Sequence, residues 1–270
     1  MNLLRRASIA LLCVVALAAV APELWTPAHY ATQFREAPEA EPSARFPLGT
    51  DRLGRDRLSR LVYGTRVSLL LAPGAALLSC TTAALMGGSA AIAGGVAEVA
   101  ILALADLCLS LPWLFLLLTM RALLPLNVSP QTSIGLTFLL LGVLGWAGPA
   151  RVVFASVRKL QSADFILQAH AAGLAPVRVF LRHLTPSLLP VLLAQFCVAV
   201  PLYVLAEATL GMLGLGVAEP LPSWGNILRE LESGNALSQP WLLVPVVLLA
   251  LVVASFQAIV PSRTEKRDYA

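Results

Sequence analysis

Residues 188–213 read LLPVLLAQFCVAVPLYVLAEATLGML, an apolar run with one charged residue, Glu207. A helix crosses the hydrocarbon of a bilayer with about 20 mostly apolar residues. Five further runs of this kind occur along the chain. The six cover about residues 7–25, 67–93, 96–118, 133–153, 188–213 and 241–260. Because the runs are long and do not alternate, they predict an all-α protein with six transmembrane helices, not a β-barrel.

The composition agrees with a chain that lipid solvates. Of its 270 residues, 58% are hydrophobic and 13% are charged, whereas soluble domains carry about 25% charged residues. The net charge of +4 is modest, and no basic patch interleaved with aromatics indicates a nucleic-acid partner. Cys13, Cys80, Cys108 and Cys197 each lie in an apolar run, which predicts small buried hydrophobic residues.

Two readings are open for the first run. Arg5 and Arg6 followed by an apolar stretch and Ala19-Val20-Ala21 resemble a cleaved signal peptide. Pro22 would then follow the cut, which is unfavourable, so we predict a retained anchor. The positive-inside rule does not settle the orientation in the membrane. With the N-terminus inside, ten Lys and Arg lie inside and nine outside, and the rule depends on the difference between these two numbers.

Two stretches flank the second run. Arg52, Arg55, Ser59 and Arg66 follow helical spacing, which predicts an amphipathic helix on the membrane surface over residues 52–66, with a solvated loop as the alternative. Where the second and third runs join, glycines 87, 88, 94 and 95 predict a close helix–helix approach, a tight turn, or both.

A polar segment, residues 159–186, separates the fourth and fifth runs. Ser162 is a suitable N-cap and Asp164 suits the positive end of a helix dipole. Gly173 and Pro176 would end that helix. The segment therefore predicts a short helix over about residues 163–172 outside the membrane.

Catalytic motifs are missing from the sequence. A Walker A loop needs Gly before its Lys, but Lys159 follows Arg158 and Lys266 follows Glu265. There is no HExxH pattern, and His29, His170 and His183 are scattered. We therefore predict a chain that is not an enzyme and holds no cofactor or metal of its own.

Asp106 and Glu207 fall within apolar runs, where an ionisable side chain costs a few kcal/mol. Each either lines a translocation path or braces helices through a hydrogen bond. Pro112 and Pro201 also lie inside runs and predict kinks.

Three segments carry a family resemblance. Residues 46–71 read FPLGTDRLGRDRLSRLVYGTRVSLLL, residues 165–190 read FILQAHAAGLAPVRVFLRHLTPSLLP, and residues 205–228 read LAEATLGMLGLGVAEPLPSWGNIL. Together they resemble the C-type permease subunit of the dipeptide, oligopeptide and nickel ABC importers, over about residues 7–262.

The resemblance implies the type I ABC importer permease fold, with both termini cytoplasmic in a bacterial inner membrane. It implies an anchor and external segment (residues 1–66), a five-helix core (67–262) with a coupling helix at 163–176, and a cytoplasmic tail (263–270). The implied partners are a B-type permease, two ATPases that bind ATP and Mg, and an external solute-binding protein.

The resemblance also implies roles for single residues. The external signature comprises Gly49, Asp51, Gly54, Arg55 and Trp224. The ATPase-coupling residues are Gln168, Ala169, Gly173, Arg178 and Pro186. This chain departs from the coupling motif, since Leu167 replaces its Glu, Gln168 an Ala and Thr185 a Leu. An importer permease for peptides or nickel is the expected function; a degenerate homologue that holds a complex together without coupling is the alternative.

Overall fold

A computed structural model describes residues 3–125, 128–164, 166, 168, 184–232 and 239–259. Within them the chain forms nine α-helices and no strand. They are α1 (Leu3–Val20), α2 (Arg57–Ala93), α3 (Gly95–Ser110), α4 (Trp113–Leu123), α5 (Pro130–Leu144), α6 (Ala147–Gln161), α7 (Thr185–Met212), α8 (Trp224–Arg229) and α9 (Val244–Ile259). The predicted all-α class is confirmed.

Five stretches are long and apolar enough to cross a membrane, and a bent pair makes a sixth candidate. The pair is α3 and α4, which meet at 89°. Pro112 is the N-cap residue of α4, and a proline there can neither donate the next helical hydrogen bond nor leave Leu111 in helical geometry. The kink predicted at Pro112 is thus a full break, whereas α7 continues as one helix through Pro201.

The long helix α2 runs from one end of the bundle to the other. Near its start, Thr65 and Ser68 bond to Trp224. Near its end, Ala91 belongs to an apolar cluster with Val157 and Leu188. Twenty-six residues separate Thr65 from Ala91, about 39 Å along a helix. We name the first the signature end (residues 34–68 and 207–232) and the second the opposite end (residues 91–98, 153–166 and 184–188).

Contacts also place one end of α1 and both ends of the bent pair at these two ends of the bundle. Glu23, just after α1, pairs with Arg66 at the signature end. The bent pair begins at the opposite end, where Glu98 pairs with Arg158. It finishes at the signature end, where Arg121 in α4 contacts Gly216. Ile166 and Leu184 pack with Ala91 and Val157, so these described residues between α6 and α7 lie at the end opposite the signature.

The start of α2 differs from the predicted surface helix. No separate helix covers residues 52–66; α2 begins at Arg57 and continues through the span. Asp56 caps it by accepting from the Ser59 amide at 2.7 Å. At 37 residues, α2 is about 55 Å long, so its first turns extend beyond a hydrocarbon core of about 30 Å. Two residues of the predicted polar pattern, Arg55 and Ser59, are buried, whereas the side chains of Arg52 and Arg66 are exposed.

Both readings of the glycine cluster hold, at different residues. A Cβ on Gly87 would lie 2.2 Å from the Ala150 carbonyl oxygen, so α2 and α6 approach backbone to backbone. Gly94 and Gly95 adopt φ of +63° and +56° and form the turn into α3. Gly88 has open space where a Cβ would be.

This difference gives a matched test of helix packing. Gly87→Ala should destabilise the protein by about 1–3 kcal/mol, because the added methyl forces α2 from α6. Gly88→Ala should leave stability unchanged or raise it by up to about 1 kcal/mol through helix propensity. Thermal unfolding of the detergent-purified variants measures both. Equal melting temperatures for the two would contradict the close contact.

Candidate functional site

The loop before α2 folds on itself through two glycines. Gly49 and Gly54 have φ of +70° and +71°, and a Cβ on either would lie within 2.3 Å of a carbonyl oxygen, of Ala40 or Phe34 respectively. Only glycine fits both requirements. Between them, Thr50 Oγ1 accepts from the Ala40 amide at 2.8 Å. The LGTDRLG stretch is therefore a folded structure in its own right.

Asp51 is the centre of that loop. Its Oδ1 accepts from the backbone amides of Leu53 and Arg55 at 2.9 and 2.8 Å. Its Oδ2 accepts from Arg55 Nε at 2.6 Å. The carboxylate is almost fully buried, so these donors replace the water it has lost.

A charge cluster joins this loop to the segment after α7. It consists of three arginines and three carboxylates: Arg55, Arg57, Arg60, Asp51, Glu219 and Glu230. Arg60 lies at its middle, with Nη2 2.8 Å from Glu219 Oε1. Its Nε lies 3.7 Å from Asp51 and 3.6 Å from Glu230. Arg55 Nη1 donates to Glu219 Oε2 at 2.6 Å.

The cluster shifts the ionisation of its members. Burial alone would raise the pKa of Glu219, but Arg60 and Arg55 outweigh it and lower that pKa. Burial alone would lower the pKa of Arg55, and Glu219 and Asp51 reverse that shift. Burial raises the pKa of Glu230, with Arg60 opposing the rise. Glu219 is thus held as a carboxylate between two guanidinium groups.

A second polar chain descends from the cluster into the bundle. Trp224, 2% exposed, donates its indole N–H to Thr65 Oγ1 at 2.8 Å. Ser68 Oγ donates to Glu207 Oε2 at 2.9 Å, and Glu207 is fully buried. The structure therefore places Glu207 close to the signature residue Trp224, because both bond to side chains of α2.

Glycines allow α8 to sit directly on α7. A Cβ on Gly225 would lie 2.6 Å from Gly211 Cα, and a Cβ on Gly216 would lie 2.5 Å from the same atom. The GMLGLG and PSWGN stretches thus meet at a point where the backbones are too close for any residue but glycine. This contact holds Trp224 over Thr65.

The remaining predicted residues lie elsewhere. Asp106 pairs with Arg151 of α6, away from Glu207. Pro186 is in the first turn of α7, and Gln168 is exposed. Ala169, Gly173 and Arg178 lie outside the described residues. In the part of the chain that the structure describes, His, Cys, Asp and Glu side chains form no group that could hold a metal.

Several residues of the site were not singled out from the sequence. Arg60, Glu219 and Glu230 form the charge cluster, and Thr65 and Ser68 carry the polar chain. Arg60 and Thr65 fall within the quoted motif, whose unusual length was the available signal. The sequence alone did not indicate which distant residues these side chains contact, since their partners lie more than a hundred residues away.

The fold and site define a multi-pass membrane protein whose two polar segments close one end of a helical bundle. Residues 82–266 match the model of the family described as binding-protein-dependent transport system inner membrane component. The chain belongs to that family.

Named relatives agree. The chain is 30% identical over 213 residues to an oligopeptide transport system permease protein of Haemophilus influenzae, covering 78% of this chain and 66% of that protein. It is 29% identical over 220 residues to a dipeptide transport system permease protein of Bacillus subtilis, covering 81% and 67%. It is 33% identical over 241 residues to a nickel transport system permease protein of Escherichia coli, covering 83% and 79%. The matches thus span about two thirds of the first two relatives. The suspected family is confirmed.

The charge cluster makes stability depend on pH. Because the folded pKa of Glu219 is lowered, its stabilisation is complete above the ordinary Glu pKa and is lost as pH falls through the lowered value. At pH 7, Glu219→Gln should cost about 1 kcal/mol, since the side chain is half exposed. The cost should vanish in acid.

Thermal melts of both proteins across pH 3–8 measure this difference. Glu36→Gln is the matched control, because Glu36 pairs with Arg45 at 3.6 Å on an exposed surface. It should change stability little at any pH. A Glu219→Gln deficit that persists unchanged in acid would contradict the ion-pair account.

Proposed function

We propose that this chain is a membrane-spanning subunit of an ABC importer that moves peptides or nickel across the cytoplasmic membrane of a bacterium. Membership of the family carries the proposal, and the names of the relatives supply the substrate classes. The ATPases, a paired B-type permease and an external solute-binding protein are separate subunits. The chain itself provides a path and holds no ATP.

Six crossings fit the contacts best. α1, α2, the bent pair α3–α4, the pair α5–α6, α7 and α9 each run between the two ends. Six crossings put both termini on one side, together with the 162–184 segment. We place that side in the cytoplasm and the signature end outside, where the binding protein docks.

Reporter fusions test this topology. Alkaline phosphatase inserted after Arg45 or after Pro222 should be active, because both sites lie at the signature end. The same enzyme inserted after Gln161 should be inactive, while green fluorescent protein there should fluoresce. Activity at all three sites, or the reverse pattern, would contradict the six-crossing topology.

In this mechanism the cytoplasmic 163–176 segment receives the movement of the ATPases, with Gln168, Ala169, Gly173, Arg178 and Pro186 as contacts. The described part of the segment is anchored to the bundle. Ile166 is 3% exposed and packs with Val157 and Leu184. A push on the segment therefore reaches α6 and α7 directly, as a rigid-body step requires.

Glu207 acts as a brace in this mechanism. It is fully buried and bonded to Ser68 on α2, so it links α7 to α2 without facing an aqueous path. Asp106 and Arg151 form a second brace between α3 and α6. Both carboxylates thus hold helices together within the membrane.

Reconstitution with the partner subunits tests the coupling. Wild-type complexes should show ATPase activity that loaded binding protein stimulates, together with ATP-driven uptake. Replacing residues 163–172 by a glycine-serine linker should abolish uptake. A six-residue glycine-serine linker over residues 26–31, which precede the signature end, should leave the coupling to ATP in place.

The altered coupling motif keeps the degenerate homologue as a second candidate. In that case wild-type complexes would assemble without stimulated ATPase activity. Leu167→Glu with Gln168→Ala, which restores the family pattern, would then create stimulation. Stimulation of the unmodified complex excludes this alternative.

A further inference from the structure

A polar pocket of about 160 Å³ lies beside the charge cluster at the signature end. α4 and α5 supply Arg121 and Ser133, α8 supplies Asn226 and Arg229, and the 214–219 loop closes the wall. A volume of that size corresponds to about five water molecules. The pocket therefore has room for a small polar group.

Arg121 is the unusual residue of this pocket. It is 1% exposed, and its Nη2 donates to Ser133 Oγ at 3.1 Å and to the Gly216 carbonyl at 3.4 Å. Its Nε and Nη1 have no hydrogen-bond partner among the described residues. A buried guanidinium with two unused donors is costly unless a ligand takes them.

The charges around the pocket do not balance. Within the described residues, neither Arg121 nor Arg229 forms an ion pair with a carboxylate. The carboxylate in the wall, Glu219, already binds Arg60 through Oε1 and Arg55 through Oε2. Arg229 lies against Gly214, where a Cβ would be 3.1 Å from Nη1. Two guanidinium groups beside the pocket therefore have no carboxylate partner among the described residues.

We propose that this pocket binds the carboxylate of a small solute, with Arg121 as the buried partner and Arg229 as the exposed one. The planar guanidinium matches a carboxylate with paired hydrogen bonds. The identification of that solute as a peptide, bound by its C-terminus, rests on the proposed import function. Free Ni²⁺ is repelled by the same charges.

Isothermal titration of the full-length chain in nanodiscs tests the pocket without any partner subunit. Alanyl-alanine should bind, and its C-terminal amide should bind about tenfold more weakly or not at all, since a buried donor would be left unpaired. Arg121→Gln should weaken alanyl-alanine about tenfold, and Arg229→Gln by a smaller factor. Arg45→Gln, an exposed arginine over Phe34 and Phe46, is the control and should bind as wild type does.

Every outcome decides the question. Loss of affinity in the amide and in Arg121→Gln supports the proposal, and acetate binding at the same site supports its carboxylate chemistry. If Arg121→Gln does not fold, Arg229→Gln and the amide still decide. Absence of alanyl-alanine binding, equal binding of its C-terminal amide, or tighter binding of inorganic phosphate overturns it. Because no ATPase is present, failure here leaves the import function untouched, whereas lost uptake with intact binding points to the coupling.

Discussion

The buried guanidinium of Arg60 is the interaction on which the signature end depends. It lies within ion-pair distance of Asp51 in one segment and of Glu219 and Glu230 in another, far along the chain. A buried charge is costly to leave unpaired, and removing one partner of a fully buried pair typically costs about 3–5 kcal/mol. Both segments must therefore arrive together, which ties the loop before α2 to the segment after α7.

The ion pairs between these two segments explain the other features of the signature end. Gly49 and Gly54 shape the loop so that Asp51 faces Arg55 and Arg60. Gly211 and Gly225 let α8 descend onto α7, which brings Trp224 over Thr65. A buried ion pair contributes modestly to net stability but penalises wrong pairings. The cluster thus specifies a single arrangement of two loops that hydrophobic packing alone would leave ambiguous.

Hydropathy was enough to predict the class and the approximate spans, because lipid demands long apolar helices whatever their partners. Local chemistry predicted a kink at Pro112, where the structure has a full break, and gave the turn at Gly94 as one of two readings of the glycine cluster. Prediction was poorer where a residue's role depends on a distant partner. Arg60 was not part of the polar pattern read before the second run, and only its contact with Glu219 accounts for its burial. Arg121 follows just after the predicted run at residues 96–118, and only the structure shows it buried against Gly216.

The two ends are joined by α2 and α7, which each reach both. α2 carries Arg60 and Thr65 at one end and Ala91 at the other, while α7 carries Glu207 and Leu188. Neither helix is interrupted. Under the proposed function, a displacement received from the ATPases would therefore be carried as a tilt of whole helices. The broken pair α3–α4 has no such continuity. Under the proposed function, α2 and α7 would move as one body, braced by Glu207 and Ser68, and Pro112 is where the rest of the bundle can hinge against them.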